Sequence, residues 1–263
     1  MLCIDNNKDN TLKKFIEMHG EDIILSGSVV ITVGTILTAL AFTNVFITRS
    51  PQGAEGIVIG NGIESIGNVI QAFGNQEIYA IEPSDARAKI ITGDWLQAIG
   101  NAGNAIAVQE GIILYRYTFT DQGSSRDRAQ MGEISGEETP RQSTAQEQGV
   151  DEALKTTIAV DAISSAIQGT GAFIGAEGLL QSSPSPFQQD EAFAAALTGI
   201  GAFIEALGSF LALEDEELRG TLNQVIGSWL QVGGAIIELN ALLSKKSVQQ
   251  MEKGNYTYGQ LIN

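Results

Sequence analysis

The eight-residue phrase Gly67-Asn-Val-Ile-Gln71-Ala-Phe-Gly74 returns in the chain as Gly93-Asp-Trp-Leu-Gln97-Ala-Ile-Gly100. Two further copies follow in the second half, Gly201-Ala-Phe-Ile-Glu205-Ala-Leu-Gly208 and Gly227-Ser-Trp-Leu-Gln231-Val-Gly-Gly234. A degraded copy ends in Gln168-Gly-Thr-Gly171. Each copy lies in a stretch of helical length bounded by charges, Pro or Gly, so the phrase predicts a set of repeated helices.

The copies are arranged as two halves. A shift of 134 residues places Gly93, Trp95 and Gln97 on Gly227, Trp229 and Gln231. This agreement predicts an internal duplication of a three-helix up-down unit, and therefore an all-α six-helix bundle. The predicted helices are 12–48, 56–80, 84–117, 150–181, 188–213 and 214–247.

The predicted organisation has five parts. They are an N-terminal tail (1–11), a first unit (12–117), a flexible polar linker (118–149), a second unit (150–247) and a C-terminal tail (248–263). The linker is rich in Ser, Gly, Gln and Glu and has almost nothing to bury.

The repeat positions are expected to set the packing of the bundle. They are Gly67, Gln71, Gly74, Gly93, Trp95, Gln97, Gly100, Gln168, Gly171, Gly201, Glu205, Gly208, Gly227, Trp229, Gln231 and Gly234. Glycines seven residues apart form a stripe along one side of a helix, because seven residues make almost two turns. Such a stripe predicts close backbone contact between helices in water or in lipid. Trp95 and Trp229 are interpreted as two copies of one core position.

A polar stripe of Asn, Gln and acidic residues runs beside the glycines, and two interpretations of it remain open. In the first, the apolar faces form a soluble core and the polar stripes are a wet seam or surface. In the second, the apolar faces meet lipid and the polar stripes line the inside, where Glu64, Asp161, Glu205 and Glu238 would mark an ion or proton path. We favour the first, because helices with several amides and an acid insert poorly in lipid.

The first helix contains a long uncharged stretch, residues 23–47. At about 1.5 Å per residue these residues span roughly 37 Å, more than the hydrocarbon core of a bilayer. The stretch predicts either a membrane span or a central helix wrapped by the other five.

Composition excludes several classes of function. The formal net charge of −16 argues against nucleic acid and against docking on anionic lipid heads. One histidine, His19, and one cysteine, Cys3, cannot form a di-iron pair or an ordinary zinc site. We therefore predict no catalytic, cofactor or metal site. The polar opening of the chain predicts no cleavable signal peptide.

The Gly-x-Trp-Leu-Gln units at residues 93–97 and 227–231 resemble those of uncharacterised repetitive Gly/Gln-rich helical proteins of Bacillus-like bacteria. The resemblance implies a helical repeat fold in a bacterial protein, with no known activity. The expected function is non-enzymatic and acts through helix packing, with a second copy or an unidentified protein as partner. The alternative is a membrane-associated bundle, such as a channel, a pore former or a tethered accessory protein. Localisation is expected to be cytoplasmic or membrane-associated.

Overall fold

A computed structural model describes residues 6–50, 53–130, 145–182, 185–214 and 216–261. These residues form six α-helices: α1 (Asn6–Thr48), α2 (Ala54–Ile81), α3 (Asp85–Gln130), α4 (Ala145–Gln181), α5 (Pro186–Leu213) and α6 (Glu217–Leu261). The all-α, six-helix prediction is confirmed.

Serine side chains cap the N-termini of α3 and α5 at one end of the bundle. Pro186 opens α5, and the Ser185 hydroxyl accepts a hydrogen bond from the Gln188 amide at 3.2 Å. The Ser84 hydroxyl accepts one from the Arg87 amide of α3 at the same distance. These side chains satisfy backbone N–H groups that have no partner within the helix.

Helices extend into the segments predicted as linker and tails, while the division of the chain into five parts stays a prediction. Helix α3 continues to Gln130, α4 already begins at Ala145, and α6 continues to Leu261. At the N-terminus α1 begins at Asn6. Adding a residue to an existing helix gains a hydrogen bond without a new nucleation step, so polar residues extend a helix even where they have nothing to bury. The central part of the predicted linker, residues 131–144, lies outside the described residues.

The six helices form a closed ring. Each helix packs against the next one in sequence, and α6 packs against α1. The first helix is therefore one member of the ring, and the expectation that it is wrapped by the other five is wrong. The two predicted halves share this ring, because α3 of the first half packs closely against α4 of the second.

Glycine stripes make three of the six helix contacts very close. A Cβ atom built on Gly67 would lie 2.9 Å from the carbonyl oxygen of Gly27, across the α1/α2 contact. Across α3/α4, a Cβ on Gly93 would lie 2.7 Å from the oxygen of Gly171. The α5/α6 contact repeats this arrangement. The eight repeat glycines outside α4, and Gly171 within it, are all buried. Backbone-to-backbone packing at the repeat is thus present in the structure.

The alternation of close contacts follows from the repeat and from helix direction. Each helix carries the same pattern, with the Gln position facing inward and the glycines on one flank. Neighbouring helices run in opposite directions, so their glycine flanks turn toward each other in the pairs α1/α2, α3/α4 and α5/α6. The packing unit is therefore a helical hairpin. The three-helix duplication is a relation of sequence, and it remains a prediction.

The three looser contacts are covered on the outside by larger side chains. Phe73 and Trp95 meet edge to face across α2/α3, with ring centroids 5.9 Å apart. Phe173 and Phe203 stack across α4/α5 at 6.0 Å. At α6/α1, the Trp229 indole N–H donates to the Thr43 hydroxyl at 3.0 Å. Trp95 and Trp229 are 37% and 44% exposed, so their interpretation as core residues is wrong.

The interior of the ring is polar and its exterior is apolar. Buried side chains include the amides and acids of the polar stripes, such as Asn68, Gln71 and Gln168. Exposed side chains include Ile66 and Ile106 on the opposite helix faces. This is the reverse of the favoured expectation of an apolar core. The polar stripes line the inside, as in the second interpretation, whose lipid contact and ion path stay predictions.

Candidate functional site

Charged residues are almost absent from the middle of every helix. Uncharged stretches occupy 23–48, 56–76, 90–109, 156–176, 192–213 and 220–244, apart from one acid in each helix after α1. These acids are Glu64, Asp94, Asp161, Glu205 and Glu238. Glu64, Asp94 and Glu205 are buried and the other two are half-buried. The exterior of the central zone is therefore both apolar and free of charge.

The exposed apolar side chains recur with the period of the repeat. Ile59, Ile66 and Phe73 are seven residues apart on α2, and Ile99, Ile106 and Ile113 continue the pattern on α3. At about 1.5 Å per residue, the central stretches of roughly 20 to 26 residues span about 30 to 39 Å, enough to cross the hydrocarbon core of a bilayer. Within the part of the chain that the structure describes, four helices could cross a membrane by length and composition: Thr11–Thr48, Gly149–Gln181, Pro186–Leu213 and Glu217–Met251.

A polar cavity of about 90 Å³ enters the ring at the end where α3 and α5 begin. We call it the vestibule; all six helices line it. Ion pairs flank its mouth, with Lys245 Nζ 2.8 Å from Glu21 Oε1 and Lys246 Nζ 2.6 Å from Asp22 Oδ1. A volume of this size accommodates several water molecules.

Deeper in the vestibule, two hydrogen bonds through Asn75 connect Arg87 to Asp94. Arg87 Nη1 donates to Asn75 Oδ1 at 2.6 Å, and Asn75 Nδ2 donates to Asp94 Oδ2 at 2.8 Å. On the α5 side, Glu191 Oε1 is buried and has no hydrogen-bond partner. In the vestibule, Glu191 therefore has a buried oxygen without a partner, whereas Arg87 and Asp94 are linked through Asn75.

The vestibule narrows into a central cavity of about 20 Å³, which is also lined by all six helices. Gln97, Thr198 and Glu238 line both spaces, so the two cavities are adjacent. The repeat amides meet here: Gln168 Nε2 donates to Gln231 Oε1 at 2.6 Å. Gln71 Nε2 donates to Glu238 Oε1, and Glu238 lines the same cavity.

Three of the predicted carboxylates lie inside the ring and closer to its other end. Glu64 accepts a hydrogen bond from Thr38 Oγ1 at 2.7 Å. Asp161 accepts one from Ser209 Oγ at 2.6 Å. Glu205 Oε1 is buried without a partner, within electrostatic range of both other acids. Residues that are far apart in the sequence are therefore gathered in one interior.

An apolar cluster, which we call the plug, closes this second end. Ala41, Phe42 and Ile57 are buried at its centre, and Val45, Ala54, Val108 and Val225 pack against them. The cluster draws on α1, α2, α3 and α6. The polar interior therefore has the vestibule at one end and the apolar plug at the other.

The repeat indicated most of these interior residues, but not Arg87 and Glu191. A signal for both exists in the seven-residue register: Arg87 is seven residues before Asp94, and Glu191 is fourteen before Glu205. Among the residues that the structure describes, no three His, Cys, Asp or Glu side chains form a group able to hold a metal ion. His19 Nδ1 lies 2.8 Å from Glu77 Oε2 at the exposed surface.

Comparison with known proteins gives a family and no activity. A family model described as "Family of unknown function (DUF6944)" matches residues 22–115 and 143–239, which is most of the chain. No curated protein and no solved structure matches the chain. The resemblance to an uncharacterised family is confirmed at this level, while its Gly/Gln-rich character and bacterial origin remain predictions. The chain belongs to this family of unknown function.

Proposed function

We propose that the protein is a membrane-embedded ring of helices whose acidic, amide-lined interior conducts small cations when the plug opens. One observation carries the proposal. Every charged side chain in the central zone faces inward, while the exterior of that zone is apolar. Apolar surface of this extent marks an interaction with a membrane or another protein. Ionisable groups at membrane depth face the interior of a bundle and mark ion pathways.

The charge of the interior favours cations. Glu64 and Asp161 accept their hydrogen bonds from hydroxyl groups, and the basic side chains that line the interior are confined to the vestibule. Rings of acidic side chains and amide oxygens select cations in channels, and apolar constrictions close pores by excluding water. The plug has the composition expected of such a constriction. The proposed role requires no reaction chemistry, so we keep the expectation that the protein is not an enzyme.

Helices α2 and α3 are not among the four described helices that could cross a membrane by length and composition, and the ring accounts for this. Their Asn and Gln side chains face inward, so mean hydropathy along the helix understates how apolar the outer face is. A helix that hides its polar face against neighbours needs only an apolar outer face to be stable in lipid.

Fractionation of the full chain tests the membrane part of the proposal. We expect the chain in the membrane pellet after high-speed centrifugation, resistant to alkaline carbonate and released by detergent. A chain that remains in the supernatant without detergent contradicts membrane embedding. If that soluble species also has a mass several times that of one chain, it supports the competing proposal, a homo-oligomer in which copies cover the apolar exteriors.

Cation flux from liposomes tests the conduction part. We expect Phe42→Asn to increase K⁺ efflux over the unaltered chain at least tenfold, because a polar side chain in the plug lets water enter. Phe73→Asn is the matched control, since Phe73 is an exposed Phe on the outer face. Equal efflux from both variants would exclude the plug as the gate.

A further inference from the structure

The central cavity has the size of a site for a single small ion. Its volume of about 20 Å³ leaves room for roughly one water molecule or one dehydrated cation. The side chains around it are almost all amides, hydroxyls and acids, contributed by all six helices. A cavity walled by so many rigid elements holds its oxygen atoms in place.

One amide oxygen in the wall of this cavity has no donor. Asn68 lines the cavity, and its Nδ2 donates one hydrogen bond to the Glu64 carbonyl of its own helix at 3.0 Å. Asn101 is 1% exposed, and its Oδ1 is buried with no hydrogen-bond partner. Gln168, which could donate, has its amide bonded to Gln231. A buried oxygen without a partner costs free energy, so the cavity is completed by a bound group that carries positive charge or a proton.

We propose that the central cavity binds one dehydrated alkali-metal cation, with Glu64 as its charge partner and Asn68 and Asn101 as oxygen ligands. Hard cations prefer carboxylate and amide oxygens. A divalent ion would call for a denser set of acids, and none of the described residues form one. The ion enters through the vestibule, which shares three side chains with the cavity. The inference rests on the proposed function only for the claim that the bound ion is also the conducted one.

Equilibrium binding of radioactive Na⁺ and Rb⁺ to the purified full chain tests the site, with N-methylglucamine chloride holding ionic strength constant. We expect saturable binding of one ion per chain. Asn68→Leu and Glu64→Gln should each weaken it at least tenfold. Asn61→Leu is the matched control: Asn61 lies one repeat earlier on α2, makes the same 3.0 Å bond to its own helix, and does not line the cavity.

The possible results distinguish loss of the cavity site from a general loss of folded structure. They also distinguish failure of this inference from failure of the proposed function. Thermal unfolding in N-methylglucamine chloride confirms that the variants used for comparison are folded. An absence of Na⁺ and Rb⁺ binding overturns the inference and leaves a buried water as the occupant. Equal loss in Asn61→Leu overturns it too, since the loss would then not depend on the cavity. Fractionation and flux report on the proposed function independently, because binding is measured whether or not detergent is needed.

Discussion

Replacing Gly171 with Ala tests the close glycine contact between α3 and α4. A Cβ atom at this position would lie 2.7 Å from the Gly93 carbonyl oxygen and 2.9 Å from the Gln97 backbone nitrogen. Neither atom can rotate away, because both belong to the facing helix backbone. The two helices would have to separate by about 0.7 Å to restore an ordinary van der Waals contact. Gly175, one turn later on the same helix, provides a matched control, because a Cβ atom added there would meet nothing within 4 Å.

The magnitude follows from the difference between these two substitutions. Each replaces a helical Gly with Ala, which by propensity alone stabilises a helix by about 0.5–1 kcal/mol. That gain is common to both variants and cancels in the comparison. The remaining difference in stability comes from the steric overlap of the new Cβ atom at Gly171. Overpacking a well-packed contact in this way costs about 1–3 kcal/mol. For a chain of this size, 1 kcal/mol corresponds to a melting shift of about 2–4 °C.

Thermal unfolding of the full chain, followed by circular dichroism in one fixed detergent or buffer, provides the measurement. We expect Gly175→Ala to melt at or above the temperature of the unaltered chain, and Gly171→Ala to melt well below Gly175→Ala. Two variants with the same melting temperature would refute the claim that the glycines are required for backbone contact.

Three further substitutions test the apolar exterior, the buried amide contact between Gln168 and Gln231, and the surface ion pairs. Ile106→Lys places a charge on the outer face, which costs about 2.5–3.5 kcal/mol in the centre of a bilayer; we expect less chain in the membrane pellet, whereas a soluble protein would tolerate the change. Gln168→Leu removes the donor to the buried Gln231 oxygen, at a cost of about 1–3 kcal/mol, so its melting temperature should fall far more than that of the exposed control Gln76→Leu. Lys246→Ala breaks the exposed pair with Asp22 and should change the melting temperature little, because such pairs contribute at most about 1 kcal/mol.

The sequence predicted the helices and the residues that share a face, because both depend on local periodicity. The seven-residue spacing of Gly67 and Gly74 determines that they lie on one side of α2, and the structure buries both against α1. The same register placed Glu64 and Gln71 together on the polar stripe. Helix ends inside polar segments were predicted less well, since Gln130 and Leu261 extend helices without any apolar face to mark them.

The direction in which each face points was not predictable in the same way. Mean hydropathy treats the amides of α2 as if lipid or water met them, whereas the ring buries them in its interior, where Gln71 and Asn75 bond to acids of other helices. The choice between inside and outside depends on how many helices close the ring, which no single helix encodes. A clue was nonetheless present: Glu64, Asp94, Asp161, Glu205 and Glu238 each stand alone in a long uncharged stretch. A solvated helix face seldom carries so few charges, because exposed faces are normally rich in Lys and Glu.

The direction of the glycine flanks also explains why the ring needs an even number of helices. In every helix the glycines spaced seven residues apart lie on the same side of the inward-facing stripe, so two such flanks meet only between antiparallel neighbours. Gly169 and Gly199, which face each other across α4/α5, lie outside this series. Three helices leave one flank without a partner; in the first half that flank belongs to α3, and Gly93 and Gly100 find their contacts on α4 of the second half. A single three-helix unit would therefore expose a strip of backbone that only a further helix can cover. Two units satisfy every flank and enclose the acids at the same time, so the closure of the ring and the creation of its polar interior have one physical cause.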